Sequence, residues 1–319
     1  MGDKSAARRP TIGLMLPAVA NADTGRVDAP RYLEVARIAE AGGFDGVYVG
    51  DHLLHPDAQL ESVVALSAAA AVTQRVSIGF CVMLIALRDP IWLARQLGTL
   101  ASFAPGRLRI GLGVGGEYPA EFAAAGVPLA ERGKRLEEVA EKVKRLLAGE
   151  LPLPRNADDL PVNLEPLPST PIPYFLAGYK EVALRRAAAL GDGWIGYLLS
   201  AESFARRRSL LLEHRATLGG GPFFTGMLLP VHPDPIADGA QARAAVRWAK
   251  ITKNNVSFPD RLFVAGPPAS IVDQLRRYWD AGCSEFVFSI AEQGHEHIDH
   301  VRILTDKILP KVREFGNAG

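Results

Sequence analysis

The chain has 319 residues, a length that holds one large α/β domain or two ordinary ones. Its formal net charge is +1, so there is no electrostatic reason to expect nucleic acid or an anionic membrane as a partner. The two cysteines, Cys81 and Cys283, lie far apart in sequence and lack metal-ligand spacing, which argues against a disulfide framework and a structural zinc site.

The first ten residues are polar and basic and lack the apolar core of a signal peptide. No apolar run approaches the ~20 residues that a membrane span requires. We therefore expect a disordered tail over residues 1–10, a single domain over residues 11–315, and a soluble, cytoplasmic protein.

Strand-like and helix-like segments alternate from there almost to the end of the chain. The predicted strands cover residues 11–16, 46–49, 75–82, 107–111, 172–176, 193–195, 223–232 and 285–290. The predicted helices cover residues 31–41, 59–72, 90–103, 131–147, 181–190, 201–218, 268–281 and 300–314, with a further helical region at 236–257. Eight strands alternating with helices over about 300 residues predict a single α/β domain, a closed (β/α)8 TIM-like barrel.

A glycine-rich turn follows the fourth predicted strand at residues 108–117, Leu-Arg-Ile-Gly-Leu-Gly-Val-Gly-Gly-Glu. Gly111, Gly113 and Gly116 have the G-x-G-x-x-G spacing of dinucleotide sites, but that motif normally lies in the first βα turn of a Rossmann domain. We also expect Glu117-Tyr118-Pro119 not to begin the closely packed helix that such a site needs. The turn is predicted to be the ligand-facing end of a barrel strand, and an NAD(P) dehydrogenase is the least favoured alternative.

The carboxyl ends of the strands form the active site in a (β/α)8 enzyme. Residues predicted at these ends are mostly apolar, aromatic or glycine: Asp51, His52, His55, Cys81, Val82, Met83, Gly113 to Glu117, Gly178, Tyr179, Lys180, Trp194, Tyr197, His232, Ser289, Glu292 and Gln293. This set is not typical of a metal site, and no G-x-S-x-G nucleophile turn is present. The cluster His295-Glu296-His297-Asp299-His300 is interpreted as solvated surface rather than as a metal site. The set suits a flat, largely uncharged cofactor, with His52 available for proton transfer.

Several sequence motifs point to a known family. They include Ala-Gly-Gly-Phe-Asp-Gly-Val-Tyr-Val-Gly-Asp-His at 41–52, Gly-Arg-Leu-Arg-Ile-Gly-Leu-Gly-Val-Gly at 106–115, Glu-Phe-Ala-Ala-Ala-Gly-Val-Pro at 121–128 and Ala-Ala-Leu-Gly-Asp-Gly-Trp at 188–194. With them the chain resembles the luciferase-like superfamily of flavin and deazaflavin oxidoreductases over nearly its whole length. The resemblance implies a TIM-like barrel with an irregular insertion before the last strand, which fits residues 233–268.

The resemblance also implies a cofactor over the barrel mouth and the residues that hold it. A non-prolyl cis peptide bond would lie at Cys81–Val82, and a cofactor phosphate would bind at the loop after the fifth strand. The cofactor-binding residues carried over by position are Cys81, Val82, Met83, Gly113, Gly115, Glu117, Gly178, Tyr179, Lys180 and Trp194.

The motif after the second strand bears on the choice of cofactor. Asp51-His52-Leu53 is similar to the deazaflavin-dependent members, whereas the light-emitting luciferases carry Glu-His-His there. The resemblance therefore favours coenzyme F420, with FMN as the alternative. Pro56 stands where sugar-phosphate-oxidising members have an aromatic residue, which argues against a sugar phosphate as substrate.

The resulting hypothesis is an F420-dependent oxidoreductase that transfers a hydride between deazaflavin C5 and a small organic substrate. His52 is the expected proton donor or acceptor, and Asp51 either orients it or simply caps the following turn. The alternatives are an FMN-dependent monooxygenase that uses O2 and a separate reductase, and a non-catalytic flavin-binding barrel. The resemblance also implies a homodimer, in which the helix predicted at residues 59–72 is a candidate to pack against a second copy.

Overall fold

Parallel pairing of short apolar strands organises the molecule. The computed structural model describes residues 9–21, 24–150, 152–153, 162–252, 262–291 and 295–317. Its strands are β1 (Thr11–Met15), β2 (Gly46–Val49), β3 (Ser77–Met83), β4 (Leu108–Leu112), β5 (Tyr174–Ala177), β6 (Gly193–Tyr197), β7 (Phe224–Pro233), β8 (Val264–Gly266) and β9 (Glu285–Ile290). Strands β1 to β6 pair in chain order, β6 pairs with β7, β7 with β9, and β9 with β1. The sheet is thus a closed eight-stranded barrel, which confirms the predicted fold class.

Helices surround this barrel. They are α1 (Ala29–Ala41), α2 (Ser62–Val72), α3 (Pro90–Phe103), α4 (Pro119–Ala124), α5 (Arg132–Leu147), α6 (Glu181–Leu190), α7 (Ala201–Thr217), α8 (Ala240–Thr252), α9 (Pro268–Asp280), α10 (His295–Ile303) and α11 (Leu309–Arg313), the last two joined by a π-helical turn at Leu304–Ile308. Proline occupies the first turn of several of them, where its missing N–H has no intrahelical acceptor to lose. Among the described helices, none combines the length and the apolar character needed to cross a bilayer.

Two elements differ from the sequence-based expectation. Strand β8 was not predicted, because three residues are too few to show an alternating pattern; it pairs with the end of β7 and lies outside the closed ring. A helix does begin directly after the glycine-rich turn: α4 starts at Pro119, contrary to the expectation for residues 117–119. It has only six residues, and it packs on a closed barrel rather than on an open Rossmann sheet.

Alternation along the strands separates two apolar layers. On β3, Ile78 and Phe80 belong to the main core between barrel and helices, while Cys81 belongs to a small cluster inside the barrel. That inner cluster comes from five strands and consists of Tyr48, Cys81, Phe175, Ile195 and Val287, with Met15, Val82, Phe224 and Leu228 packed against it. The inside of the barrel is therefore filled with side chains and is not a pore.

A buried ion pair closes the amino-terminal end of the barrel. Arg109 on β4 donates from Nη1 and Nη2 to the two oxygens of Glu285 on β9, at 2.6 and 2.9 Å. Nη1 also donates to the Tyr48 hydroxyl at 2.7 Å, and the guanidinium lies 4.7 Å from the ring centre of Phe224. Burial, and then the Glu285 carboxylate, raise the pKa of Tyr48, so this hydroxyl keeps its proton. This pair ties opposite sides of the barrel together.

Candidate active site

His52 lies at the carboxyl end of the barrel, just beyond β2, between two carboxylates. Its Nδ1 is 3.4 Å from each carboxylate oxygen of Glu121, and its Nε2 is 4.0 Å from an oxygen of Glu117. The His52 side chain is 20% exposed, Glu121 is fully buried, and Glu117 is 55% exposed. The imidazole therefore has one buried and one solvent-facing partner.

Helix α4 places Glu121, and the sequence reasoning missed this residue. Glu121 lies in the first turn of α4 and also accepts a hydrogen bond from the Leu53 backbone N–H at 3.1 Å. The only sequence signal was its place at the head of the motif at 121–128, four residues after Glu117 on the same short segment. Burial of a carboxylate in a six-residue helix cannot be inferred from that pattern.

Tyr118 completes the surroundings of the imidazole. Its ring centre lies 5.0 Å from that of His52 and 5.3 Å from that of His55, both in edge-to-face geometry. Partial burial, and then the neighbouring Glu117, raise the pKa of the Tyr118 hydroxyl. Tyr118 is thus a neutral aromatic contact that limits rotation of the His52 ring.

Asp51 does not make the contact with His52 that the sequence suggested. Within the described part of the chain, its carboxylate accepts hydrogen bonds from Ser62 Oγ (2.7 Å), the Leu84 backbone N–H (2.9 Å) and Arg88 Nη2 (2.6 Å). The carboxylate beside His52 Nδ1 is that of Glu121 instead. Asp51 anchors the loop that follows β3, because it binds the backbone of Leu84 directly.

A ledge at the ends of β3 and β4 forms the floor of the mouth. The peptide bond Cys81–Val82 is cis and non-prolyl, as the resemblance implied. Gly113 lies directly against it: a Cβ at this glycine would be 2.3 Å from Cγ2 of Val82. Gly115 has a φ of +61°, and a Cβ there would come within 3.0 Å of Leu84. Only glycine allows the β4 backbone to lie this close to the β3 loop and to turn away.

The loop after β5 holds a second group of predicted residues. Gly178 has a φ of +132°, and its carbonyl accepts a hydrogen bond from Trp194 Nε1 at 2.7 Å. The Tyr179 carbonyl accepts from Arg207 Nε at 3.0 Å, and Lys180 is the exposed residue that precedes α6. The loop therefore leads into the first turn of a helix, where backbone N–H groups without intrahelical acceptors attract anions.

Three of the predicted cofactor residues have side chains that are turned away from the mouth or closed off from solvent. Met83 and Trp194 are fully buried in the main core, and Trp194 stacks on Phe204 at 5.1 Å. Cys81 is buried inside the barrel, and burial raises the pKa of its thiol. Met83 and Trp194 therefore support the site from behind rather than line it.

The insertion before the last strand builds a second, smaller core beside the mouth. It packs helix α8 and strand β8 together through Ala240, Ala244, Trp248, Phe263, Ala265 and Ala291, with Tyr197 against it. His232, at the end of β7, is buried with Nε2 3.5 Å from Asp234, and its ring lies 5.3 Å from that of His300. The interpretation of residues 295–300 as solvated surface is wrong for His297, which is buried. Predicted residues Glu292 and Gln293 lie outside the described residues.

Across the parts of the chain that the structure describes, no group of three or more His, Cys, Asp or Glu side chains has a geometry that could hold a metal ion.

Comparison with known proteins assigns a family. The sequence profile of the family described as luciferase-like monooxygenase matches residues 11–257. An uncharacterized protein of Mycobacterium tuberculosis is 33% identical over 187 residues, which cover 51% of this chain and 64% of that relative. The F420-dependent glucose-6-phosphate dehydrogenase of Tsukamurella paurometabola is 26% identical and covers 90% of this chain and 95% of its own length.

Solved structures agree in fold. An F420-dependent secondary alcohol dehydrogenase in complex with an F420-acetone adduct has a TM-score of 0.77 at 20% identity, covering 95% of this chain and 99% of its own. The oxygenating constituent of 3,6-diketocamphane monooxygenase from Pseudomonas putida, in complex with FMN, has a TM-score of 0.73 at 14% identity, with 95% and 99% covered. Deazaflavin- and flavin-binding proteins thus share this barrel.

Proposed function

This chain belongs to the luciferase-like monooxygenase family, and from that premise we propose that it is an F420-dependent oxidoreductase of a small organic substrate. The reaction moves a hydride between C5 of the deazaflavin and a substrate carbon. The observation that carries the proposal is His52, half enclosed between Glu117 and Glu121 and placed at the same mouth as the ledge of β3 and β4. The relatives that match about 90% of the chain are named as F420-dependent dehydrogenases, which supports the choice of cofactor.

The residues of the mouth fit a flat cofactor with an anionic tail. Val82 packs its Cγ2 methyl directly over Gly113, and these two residues form a ledge against which a tricyclic ring would lie. The segment from Gly178 to Lys180 would bind a phosphate through N–H groups at the start of α6 and through the Lys180 ammonium. F420, when bound, supplies a two-electron hydride carrier. Asp51 keeps the ledge in place through its bond to the Leu84 backbone.

His52 supplies the proton chemistry. When a hydride leaves the carbon of an alcohol, the hydroxyl proton must go to a base, and in the reverse direction the carbonyl oxygen must receive one. An imidazole in contact with the substrate oxygen performs both steps near neutral pH. His52 Nε2 is the nitrogen on the side of the exposed Glu117, so it is the atom we assign to this exchange.

Direct cofactor titration tests the proposal. The purified full-length protein is titrated with F420 and, separately, with FMN, and cofactor fluorescence is followed. We expect F420 to bind in the micromolar range and FMN at least tenfold more weakly. Binding of FMN alone would replace the proposal with an FMN-dependent monooxygenase that needs a reductase and O2. Failure of both to bind below the millimolar range would overturn both versions and leave a barrel without flavin chemistry.

The variant Lys180→Ala tests whether the loop after β5 binds the cofactor phosphate. Loss of one charge-assisted contact to a phosphate corresponds to about 1.5–3 kcal/mol, and so to a roughly tenfold or greater weakening of F420. Lys134→Ala is the matched control, since Lys134 is an exposed helical lysine that pairs with Glu138 one turn along the same helix. Equal affinities of the two variants would remove the loop after β5 from the proposed site.

Substrate class is tested by single turnover. Small secondary alcohols and glucose 6-phosphate are offered separately to the F420-loaded protein, and absorbance of the oxidised deazaflavin is followed. We expect reduction by the alcohols and not by the sugar phosphate, because Pro56 stands at the position where an aromatic residue is expected in sugar-phosphate-oxidising members. Rapid reduction by glucose 6-phosphate would contradict this.

We also propose a homodimer through the first turns of α2 and α3. These neighbouring helices expose large apolar side chains, with Val64 68%, Trp92 67% and Ile91 40% exposed. Such a surface is typical of an interface. Light scattering on the protein and on Trp92→Glu tests it: a dimer that becomes a monomer is expected, and a wild-type monomer would contradict the proposal.

A further inference from the structure

We propose that Glu121 is a positioning residue that keeps the proton of neutral His52 on Nδ1 and leaves Nε2 as the free lone pair at the barrel mouth. The inference rests on the proposed function, in which His52 Nε2 exchanges the proton. It adds the residue that determines which nitrogen is able to do so.

The geometry around Glu121 admits one arrangement of donors and acceptors. An ionised carboxylate can only accept hydrogen bonds, and both of its oxygens lie 3.4 Å from His52 Nδ1. One of them already accepts the Leu53 N–H, which fixes the carboxylate relative to the chain that carries His52. Nδ1 must therefore be the donor, so the second nitrogen of a neutral ring carries no proton.

Burial makes this contact costly to lose. Glu121 is fully buried, and in the described part of the chain its hydrogen-bond partners are His52 and the Leu53 N–H. A buried carboxylate that loses a donor pays a large desolvation cost, so the tautomer with hydrogen on Nδ1 is favoured. The 3.4 Å separations are long for a charged hydrogen bond, and such contacts commonly shorten when substrate binds.

Glu117 is the weaker competitor for the single proton of the neutral ring. It is 55% exposed to water and lies 4.0 Å from Nε2, whereas the buried Glu121 lies 3.4 Å from Nδ1. The edge of the Tyr118 ring packs against the imidazole at 5.0 Å and opposes a ring flip that would exchange the two nitrogens. The two carboxylates thus have different tasks: Glu121 holds the ring, and Glu117 faces the space where a substrate would lie.

The tautomer is measured directly in the cofactor-free protein by 15N NMR of labelled histidine, with His52→Asn used to assign the signals. At a pH where the ring is neutral, we expect protonated Nδ1 and unprotonated Nε2. Glu121→Gln is expected to shift the population toward protonated Nε2, because its amide can also donate. Glu117→Gln is the matched control and is expected to leave Nδ1 protonated. An unchanged tautomer in Glu121→Gln, or a wild-type ring protonated on Nε2, would overturn the inference.

Kinetics provide the second measurement. Loss of the correct tautomer in a comparable carboxylate–imidazole pair costs about 10⁴-fold in kcat, so we expect a fall of at least 10²-fold for Glu121→Gln, with KM changed less than threefold. Glu121→Asp, which withdraws the carboxylate by one methylene, is expected to fall similarly. A variant in which KM rises while kcat is unchanged would mean that Glu121 acts on binding alone.

The two measurements separate this inference from the proposed function. If the tautomer shifts but F420 does not bind, Glu121 positions His52 in a protein with different chemistry. If F420 binds and hydride transfer occurs while Glu121→Gln has the wild-type tautomer and rate, the function stands and the role of Glu121 is refuted.

Discussion

The two ends of the barrel use charged residues in opposite ways. At the amino-terminal end, Arg109 and Glu285 meet in a two-fold hydrogen bond at 2.6 and 2.9 Å, deep inside the barrel. At the carboxyl end, His52 lies 3.4 and 4.0 Å from its two carboxylates and is partly open to solvent. The first arrangement uses both oxygens of its carboxylate in short hydrogen bonds, whereas the second retains capacity for another partner.

This difference between the two ends indicates that charged residues at the amino-terminal end stabilise the fold, whereas those at the carboxyl end are available for chemistry. A bidentate guanidinium–carboxylate pair fixes geometry and leaves few free donors or acceptors. Groups held at longer distances can gain a new bond without first losing a strong one. In (β/α)8 barrels, polar residues at the carboxyl ends of strands carry function and those at the opposite end carry stability. Substitutions at the two ends should therefore affect different measurements.

The largest expected effect belongs to His52. Replacing it with Asn removes the proton-transfer group, and hydride transfer should slow by about 10²- to 10⁴-fold. The unfolding midpoint in urea should change much less than the rate, because an Asn amide at this position can still donate a hydrogen bond to the buried Glu121. Single-turnover absorbance of bound deazaflavin measures the rate. A wild-type rate in His52→Asn would contradict the assignment of proton transfer to His52 at the carboxyl end of the barrel.

The amino-terminal pair should show the reverse pattern. Glu285→Ala leaves the Arg109 charge buried without its partner, and we expect a loss of about 3–5 kcal/mol in the free energy of unfolding. Urea denaturation measures it. The double variant Arg109→Met with Glu285→Leu should be much closer to wild type, since it removes both charges. If Glu285→Ala were as stable as wild type, the pair would not be the structural tie that its geometry indicates.

A substitution at Gly113 tests the ledge at the mouth of the barrel. In Gly113→Ala the new methyl overlaps Val82, and the resulting displacement should weaken F420 binding about tenfold or more, from a strain of about 1–3 kcal/mol. Gly50→Ala is the matched control near the mouth, because the nearest atom that its Cβ would meet among the described residues is Cε of Met15, at an ordinary contact distance of 3.9 Å. Fluorescence titration compares the two variants. Equal affinities would show that the ledge does not support the ring.

The smallest expected effect is on the pH dependence of stability, and it comes from Glu40 near the amino-terminal end of the barrel. Burial opposes ionisation of Glu40, but hydrogen bonds from the backbone N–H groups of Arg75, Val76 and Gln74 outweigh it and lower the pKa of this carboxyl. A lowered pKa in the folded state stabilises the protein above the unfolded pKa, and the gain disappears as pH falls through the folded value.

Glu40→Gln should therefore be less stable than wild type by about 1 kcal/mol at pH 7. The difference should shrink as the pH falls below about 4. Thermal unfolding across pH measures this difference. A gap between the two proteins that widened toward low pH would contradict the sign.

The barrel could be predicted well from the sequence, because the patterns that indicate its strands and helices lie within short, continuous segments. Strands such as β3 and β7 are rich in apolar residues, and the cis bond at Cys81–Val82 follows by position from the family resemblance. Strand β8 escaped prediction because its three residues acquire their pairing only from the end of β7. Element type could thus be inferred from the chain alone, except where a segment depends on a distant neighbour.

The site was predicted less completely, for the same reason. His52 was found because it follows a strand, but its partner lies 69 positions further along the chain on a six-residue helix. The carboxylate of Asp51 is adjacent in sequence, yet it binds Leu84 and Arg88 across the β2–β3 boundary. Adjacency suggested the wrong carboxylate, because side-chain partners are set by the fold rather than by chain order.

Trp194 gives the molecule an internal optical reporter. Its indole is fully buried, stacked on Phe204 and hydrogen-bonded to the Gly178 carbonyl, so its excited state is sensitive to the position of that loop. Trp92 is 67% exposed in the single chain and lies on the surface proposed for the dimer, so its emission reports whether that surface is covered. Ligand binding at the loop after β5 would therefore change the emission of Trp194, which is separated from that of the buried Trp248 by comparison with Trp194→Phe. The intrinsic spectrum of the unlabelled protein can follow loop and surface at once.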